Sequence, residues 1–137
     1  MKFNTIIFAV IILSLLGWKA YSAGYISDGN PGTHQINVQQ AKDLIENGSD
    51  VQILDVRTEG EWRSGVVENS FLINLYDQEF QKKVQELNKE KPVVIICRSG
   101  NRSNQAMRAM SQMGFKELYN VRGGVNSWNR AGYELKP

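Results

Sequence analysis

The sequence predicts an α/β domain built on a mainly parallel sheet. Three observations carry this expectation. Short β-branched and apolar runs recur, at residues 51–56 and most clearly at 92–96. Between them lie segments whose apolar residues fall at helical spacing, such as 102–113. The two kinds of segment alternate across about 100 residues, which is the pattern of strand–helix–strand units.

The N-terminus stands apart from that pattern. Met1-Lys2 gives a short positive end, residues 6–16 are apolar apart from Ser14, and small residues follow at Ala20, Ser22 and Ala23. This is the layout of a secretory signal peptide over residues 1–23, with cleavage expected near Ala23 and export to the periplasm. The apolar run from 5 to 18 is 14 residues long, short of the ~20 that a membrane-spanning helix needs. An uncleaved anchor through those same residues is the alternative. Loss of 1–23 removes Lys2 and Lys19 and leaves basic and acidic residues equal in number. A near-neutral domain without a basic stripe argues against a nucleic-acid partner, and no membrane contact is expected after cleavage.

The elements follow in order. Residues 24–35 are rich in turn formers and read as a linker. Residues 36–38 can form a short strand. A helix is expected over 39–47, with Ala41, Leu44 and Ile45 on one face and Gly48 ending it. Residues 51–56 form a strand that carries Asp55, and 59–64 one or two helical turns. A strand over 71–75 precedes a helix over 80–87, with Phe80, Val84 and Leu87 inward. Residues 92–96 are apolar at every position after Pro92, as in the centre of a parallel sheet. The helix over 102–113 turns Ala106, Met107, Met110 and Met113 inward, and Gly114 caps it. A last strand at 118–121 and a short helix at 125–131 complete a domain over 36–137. The expected sheet has about five strands, with helices on both faces.

Parallel sheets bind ligands at the carboxyl ends of their strands. Cys97, the sole cysteine, lies at such an end, and Asp55 at another. Cys97 is followed by Arg98-Ser99-Gly100-Asn101-Arg102-Ser103. A strand-to-helix turn of small residues can aim its N–H groups inward as an anion nest. The helix beginning near Arg102 adds the positive end of its dipole. A thiol placed there is expected to ionise below its usual ~8.5. Arg98 and Arg102 add charge, and their planar forks suit sulfonate or phosphate oxygens.

Other uses of a cysteine are disfavoured. The one histidine, His34, lies in the expected linker as a solvent-exposed residue, far in sequence from Cys97. A Cys–His protease site is therefore not expected. One Cys and one His do not make a zinc site without carboxylates, and a dithiol redox site needs a second cysteine. No metal and no cofactor is called for, so the loop itself must activate the thiol.

Cys97-Arg-Ser-Gly-Asn-Arg-Ser103 resembles the active loop of rhodanese-type sulfurtransferases. Further segments match in the family's order. Leu54-Asp55-Val56-Arg57 with Glu61-Trp62 is similar to its Asp-Val-Arg…Glu-aromatic segment. Residues 65–70 stand where the family often has Gly-His-Ile-x-Gly-Ala. Residues 120–128, Asn-Val-Arg-Gly-Gly-Val-Asn-Ser-Trp, resemble its closing Leu-x-Gly-Gly…Trp segment. The resemblance spans about 36–136. Val66, Asn69-Ser70 and Leu72 depart from the common pattern, all outside the loop.

The resemblance implies a rhodanese-like fold and a Cys97 that attacks the outer sulfur of a donor such as thiosulfate, releases sulfite and carries a persulfide to cyanide or a thiol. It implies that residues 98–103 bind the donor, with Arg98 holding its sulfonate. Arg102 either does the same or closes the loop against Asp55. Asp55 and Arg57 are expected to order the neighbouring loops, and Glu61 to serve as a local loop or cap partner. Small donors and acceptors are the implied partners, with a protein acceptor as the carrier alternative. A cysteine phosphatase or arsenate reductase of the related cell-cycle type is the rival. Its loop has five residues between Cys and Arg, whereas four residues, 98–101, separate Cys97 from Arg102.

Overall fold

A computed structural model describes residues 26–27, 29–48 and 50–137. The expected signal segment lies outside the described residues. In chain order the elements are β1 (Ile26–Ser27), β2 (Thr33–Ile36), α1 (Val38–Asn47), β3 (Gln52–Asp55), α2 (Glu59–Trp62) and β4 (Phe71–Leu72), then α3 (Phe80–Val84), β5 (Val93–Ile96), α4 (Asn101–Ser111), β6 (Leu118–Val121) and α5 (Gly124–Arg130). The strands form one sheet in the order β1-β2-β6-β5-β3-β4. Every neighbouring pair is parallel except β1 with β2.

The alternation of side chains along β5 explains the layering. Val93 and Ile95 point to one face, where they meet Leu54 and Leu118 under Phe80 and Val84 of α3 and Ala106, Met107 and Met110 of α4. Val94 and Ile96 point to the other, where Ile53, Tyr119 and Val121 lie under Val38, Ala41 and Leu44 of α1 and Val125 and Trp128 of α5. Burying each such aliphatic side chain is worth about 1.5–3 kcal/mol. Four successive buried residues in β5 therefore hold the strand in the middle of the sheet.

The fold is the α/β architecture expected, with two corrections. Six strands form the sheet among the described residues, one more than counted from the sequence, because β1 adds an antiparallel edge. The linker expected over 24–35 is in part sheet: Thr33–Ile36 pairs with Leu118–Val121 in parallel register. His34 is accordingly half-buried rather than exposed in a linker. Its Nε2 lies 2.8 Å from Glu117 Oε2, and its ring stacks on Tyr119 with centroids 4.8 Å apart. Turn formers on the N-terminal side mask a strand whose pairing partner is more than 80 residues away.

The strand at 71–75 is shorter than expected. After Leu72 the backbone leaves regular pairing, but Ile73 N–H still donates to Asp55 O and Leu75 N–H to Val56 O. Asp55 pairs in register with Ile96, so the ends of β3 and β5 place Asp55 and Cys97 on one rim. Among the described residues, no helix is long and apolar enough to cross a membrane.

Candidate functional site

Cys97 follows directly on β5, and its residue is only 1% exposed. The chain turns at Gly100, whose φ of +104° lies in the left-handed region that favours glycine, and α4 starts at the next residue. The turn brings donors onto the sulfur. Gly100 N–H donates to Sγ at 3.1 Å, and Ser103 Oγ lies 3.3 Å from it. Burial pushes the Cys97 thiol up, as desolvation of an anion must. The Ser103 hydroxyl and the amides of Ser103, Gly100 and Ser99 together outweigh it and hold the thiol below its ordinary value. The groups that lower it are loop donors of the kind the sequence suggested, and the guanidinium charges are not among them.

The loop is held from behind by α5. Val125 N–H donates to Cys97 O at 2.8 Å and Asn126 N–H to Arg98 O at 3.0 Å. This approach is close enough to require glycine at 124. A Cβ there would stand 2.3 Å from Cys97 O. The Gly123-Gly124 pair is the surface on which the loop rests.

The two arginines of the loop differ. Arg98 is exposed, and no ion pair forms on it among the described residues. Arg102 forms a two-pronged pair with Glu61, Nη1 to Oε1 at 2.6 Å and Nη2 to Oε2 at 2.8 Å. The Arg102 guanidinium beside Glu61 holds that carboxyl at about 2. Of the two readings of Arg102, closure against Asp55 is therefore corrected: its partner is Glu61. Glu61 also accepts from Thr58 N–H at the start of α2, so it is the cap residue expected and more.

Asp55 is fully buried and taken up by Arg57. It accepts from Arg57 Nη2 at 2.8 Å, from Nε at 3.1 Å and from the Arg57 backbone N–H at 3.0 Å. Arg57 Nη2 reaches on to Gly65 O at 2.7 Å. The pair ties the end of β3 to the segment after α2. These contacts join the loops that follow β3 and α2. Ser99 and Asn101 are exposed at the lip of the loop.

One group of side chains escaped the sequence reading. Ser103 Oγ donates to Asn120 Oδ1 at 2.5 Å, Asn120 Nδ2 to Gln35 Oε1 at 2.7 Å, and Gln35 Nε2 to Asn104 Oδ1 at 2.8 Å. A detectable signal was Asn120 itself, a polar residue in the buried run Leu118–Val121.

Residues 37–131 match the rhodanese-like domain family. The chain belongs to that family. Among its relatives, a sulfurtransferase of Allochromatium vinosum is 30% identical over 102 residues, 74% of this chain and 94% of the relative. Thiosulfate sulfurtransferase 18 of Arabidopsis thaliana is 34% identical over 105 residues, 68% of this chain and 76% of the relative. The crystal structure of a rhodanese-related protein from Thermoplasma volcanium superposes with a TM-score of 0.62 at 37% identity, covering 74% of this chain and 95% of that one. The rhodanese fold and a general sulfurtransferase or sulfur-carrier role follow from these matches.

Proposed function

We propose that Cys97 is the nucleophile of a thiosulfate-type sulfurtransferase and carries the transferred sulfur as a persulfide. The observation that supports this most is the sulfur's setting: buried, yet facing the Gly100 amide and the Ser103 hydroxyl at 3.1 and 3.3 Å. Donors so placed stabilise an anion on or beyond Sγ, and they need no general base. In the first step the thiolate attacks the outer sulfur of thiosulfate. An S–S bond forms, the donor's own S–S bond breaks, and sulfite leaves with the electron pair. In the second, cyanide or a thiolate attacks the terminal sulfur, and the electron pair of the Cys97 persulfide bond returns to Cys97.

The burial of Cys97 favours a slender donor. With 1% of the residue open, only a terminal atom presented end-on can reach Sγ. Arg98, exposed and without an ion-pair partner among the described residues, is the group available for the donor's sulfonate. Arg102, engaged with Glu61, holds the loop instead. The amides of Ser99, Gly100 and Ser103 face Sγ and are the donors available to the transferred sulfur.

Export of the mature domain to the periplasm is part of the proposal. It rests on Lys2, the apolar run at 5–18 and the small residues before Ala23.

The test is intact mass after incubation with thiosulfate. A gain of one sulfur, lost on adding cyanide with release of thiocyanate, is the expected result. A persulfide that resists cyanide and passes only to a protein would make the domain a carrier. Hydrolysis of an aryl phosphate without sulfur uptake would replace both readings with a phosphatase.

A further inference from the structure

The Ser103 hydroxyl has one proton and two acceptors in reach. Cys97 Sγ lies at 3.3 Å and Asn120 Oδ1 at 2.5 Å. It cannot donate to both. As arranged, the shorter bond takes the proton to Asn120, and the sulfur goes without it.

Behind Asn120 the same constraint repeats. Asn120 offers its carbonyl to Ser103 and its amide to Gln35, and Gln35 offers its own amide to Asn104. Gln35 and Asn120 sit opposite each other in the parallel pairing of β2 with β6. Asn104 lies on α4, one residue after Ser103, half-buried at the edge of a polar cleft beside the loop. The three carboxamides thus form a single directional chain from the sulfur's neighbour to a partly solvated end.

Such a chain has two self-consistent directions. If Ser103 turns its proton onto the sulfur, Asn120 Oδ1 would face the Ser103 oxygen with no hydrogen between them. Turning the Asn120 carboxamide over removes that clash, because Nδ2 then donates to Ser103 Oγ. Gln35 and then Asn104 must turn over in the same sense. Every bond in the chain is kept, with each donor and acceptor exchanged, and no buried group is left unpaired.

We propose that Asn120, Gln35 and Asn104 are positioning residues that act through Ser103: in one direction they draw its proton away from Cys97, and in the other they present it to the sulfur anion. The proposal deepens the assignment of Cys97 as a sulfur-carrying nucleophile and rests on it. In the resting thiol the chain runs as described above. When Cys97 becomes a thiolate, or carries a terminal sulfur anion, the reversed direction supplies one more hydrogen bond. Of the charged groups around the loop and cleft, Arg102 is paired with Glu61 and Arg57 with Asp55, while Arg98 and Arg122 are exposed, Arg122 lining the cleft beside Gln35, Asn104 and Asn120.

Gln35→Glu tests this, because a carboxylate only accepts. It pins Asn120 Nδ2 to residue 35, leaves Oδ1 on Ser103 and locks the resting direction. The readout is the pH profile of Cys97, from thiolate absorbance and iodoacetamide alkylation, neither of which requires sulfur transfer. Below the midpoint, alkylation should slow at least about threefold, the ratio that one net hydrogen bond carries. The added charge also acts through space, so the substitution is repeated in Ser103→Ala, where the chain has no hydroxyl to turn. There the slowing should be markedly smaller. Equal slowing in both backgrounds, or none in the wild-type background, overturns the proposal. Should Gln35→Glu not fold, Asn104→Asp at the partly solvated end locks the same direction and is judged by the same comparison. A normal relay with no sulfur uptake from thiosulfate would count against the assigned reaction and not against the relay.

Discussion

Replacing Gly124 with alanine should damage the Cys97 loop more than any ordinary glycine substitution. The native φ is +53°, a left-handed value that costs an alanine about 1–2 kcal/mol. The new Cβ would also stand 2.3 Å from Cys97 O and 2.7 Å from the carbonyl carbon and oxygen of Arg98. Relief requires the loop and α5 to part by about 1 Å, which weakens the bonds from Val125 N–H and Asn126 N–H. At about 0.5–1.5 kcal/mol for each bond, the total reaches about 2–5 kcal/mol. Gly132→Ala is the control. Its φ of +79° imposes a similar backbone cost, but nothing lies within 4 Å of the new Cβ. Urea unfolding of both variants should show Gly124→Ala less stable by a further ~1–3 kcal/mol. Displacement of the donors around Sγ should also slow alkylation of Cys97 and sulfur uptake, by as much as about a hundredfold for a ~1 Å shift. Equal stability of the two variants, with unchanged Cys97 reactivity in Gly124→Ala, would refute the view that α5 holds the loop in place.

Two further outcomes follow from the charged groups. Glu61 is held at about 2 against an ordinary 4.5, so its pair with Arg102 stabilises the fold fully above about pH 4.5 and loses that contribution as pH falls towards 2. Because both side chains are partly solvated, the contribution is about 1–2 kcal/mol; in Glu61→Gln, unfolding free energy measured between pH 5 and 2 should be lower at the top of that range and flatter across it, and a slope equal to wild type would remove the pair from the account. Arg98→Ala should raise the apparent KM for thiosulfate roughly threefold or more with little change in kcat, and steady-state kinetics showing an unchanged KM would take Arg98 out of the donor site.

Much of this architecture was legible in the sequence because it rests on local patterns. The run Val93–Ile96 reads as a central strand because both of its faces are apolar, and both are covered. The stripe of Ala106, Met107 and Met110 reads as a buried helix face, and it is one. The small residues around Gly100 read as a tight turn from strand to helix, and the chain makes one there. What escaped detection is what pairing over long separations creates. Thr33–Ile36 carries no strong strand signal, and it is sheet because β6 lies beside it. Arg102 finds Glu61 across 41 positions, while Asp55 is satisfied by Arg57 two residues away. A sequence shows which carboxylates and guanidinium groups exist, but the choice among partners depends on how loops from different strands meet on one rim. The Ser103–Asn120–Gln35–Asn104 chain is the extreme case, since its members come from three elements.

The central claim is that Cys97 carries the transferred sulfur and that its own loop makes it reactive. Peptide-level mass spectrometry after treatment with thiosulfate tests this most directly, with wild type and Cys97→Ser compared in parallel. The account predicts one added sulfur on the peptide holding Cys97. It predicts none on Cys97→Ser, whose unfolding free energy should stay within about 1 kcal/mol of wild type because the hydroxyl can accept the same Gly100 N–H. Sulfur found elsewhere in the chain, or turnover of thiosulfate by the folded Cys97→Ser protein, would contradict it.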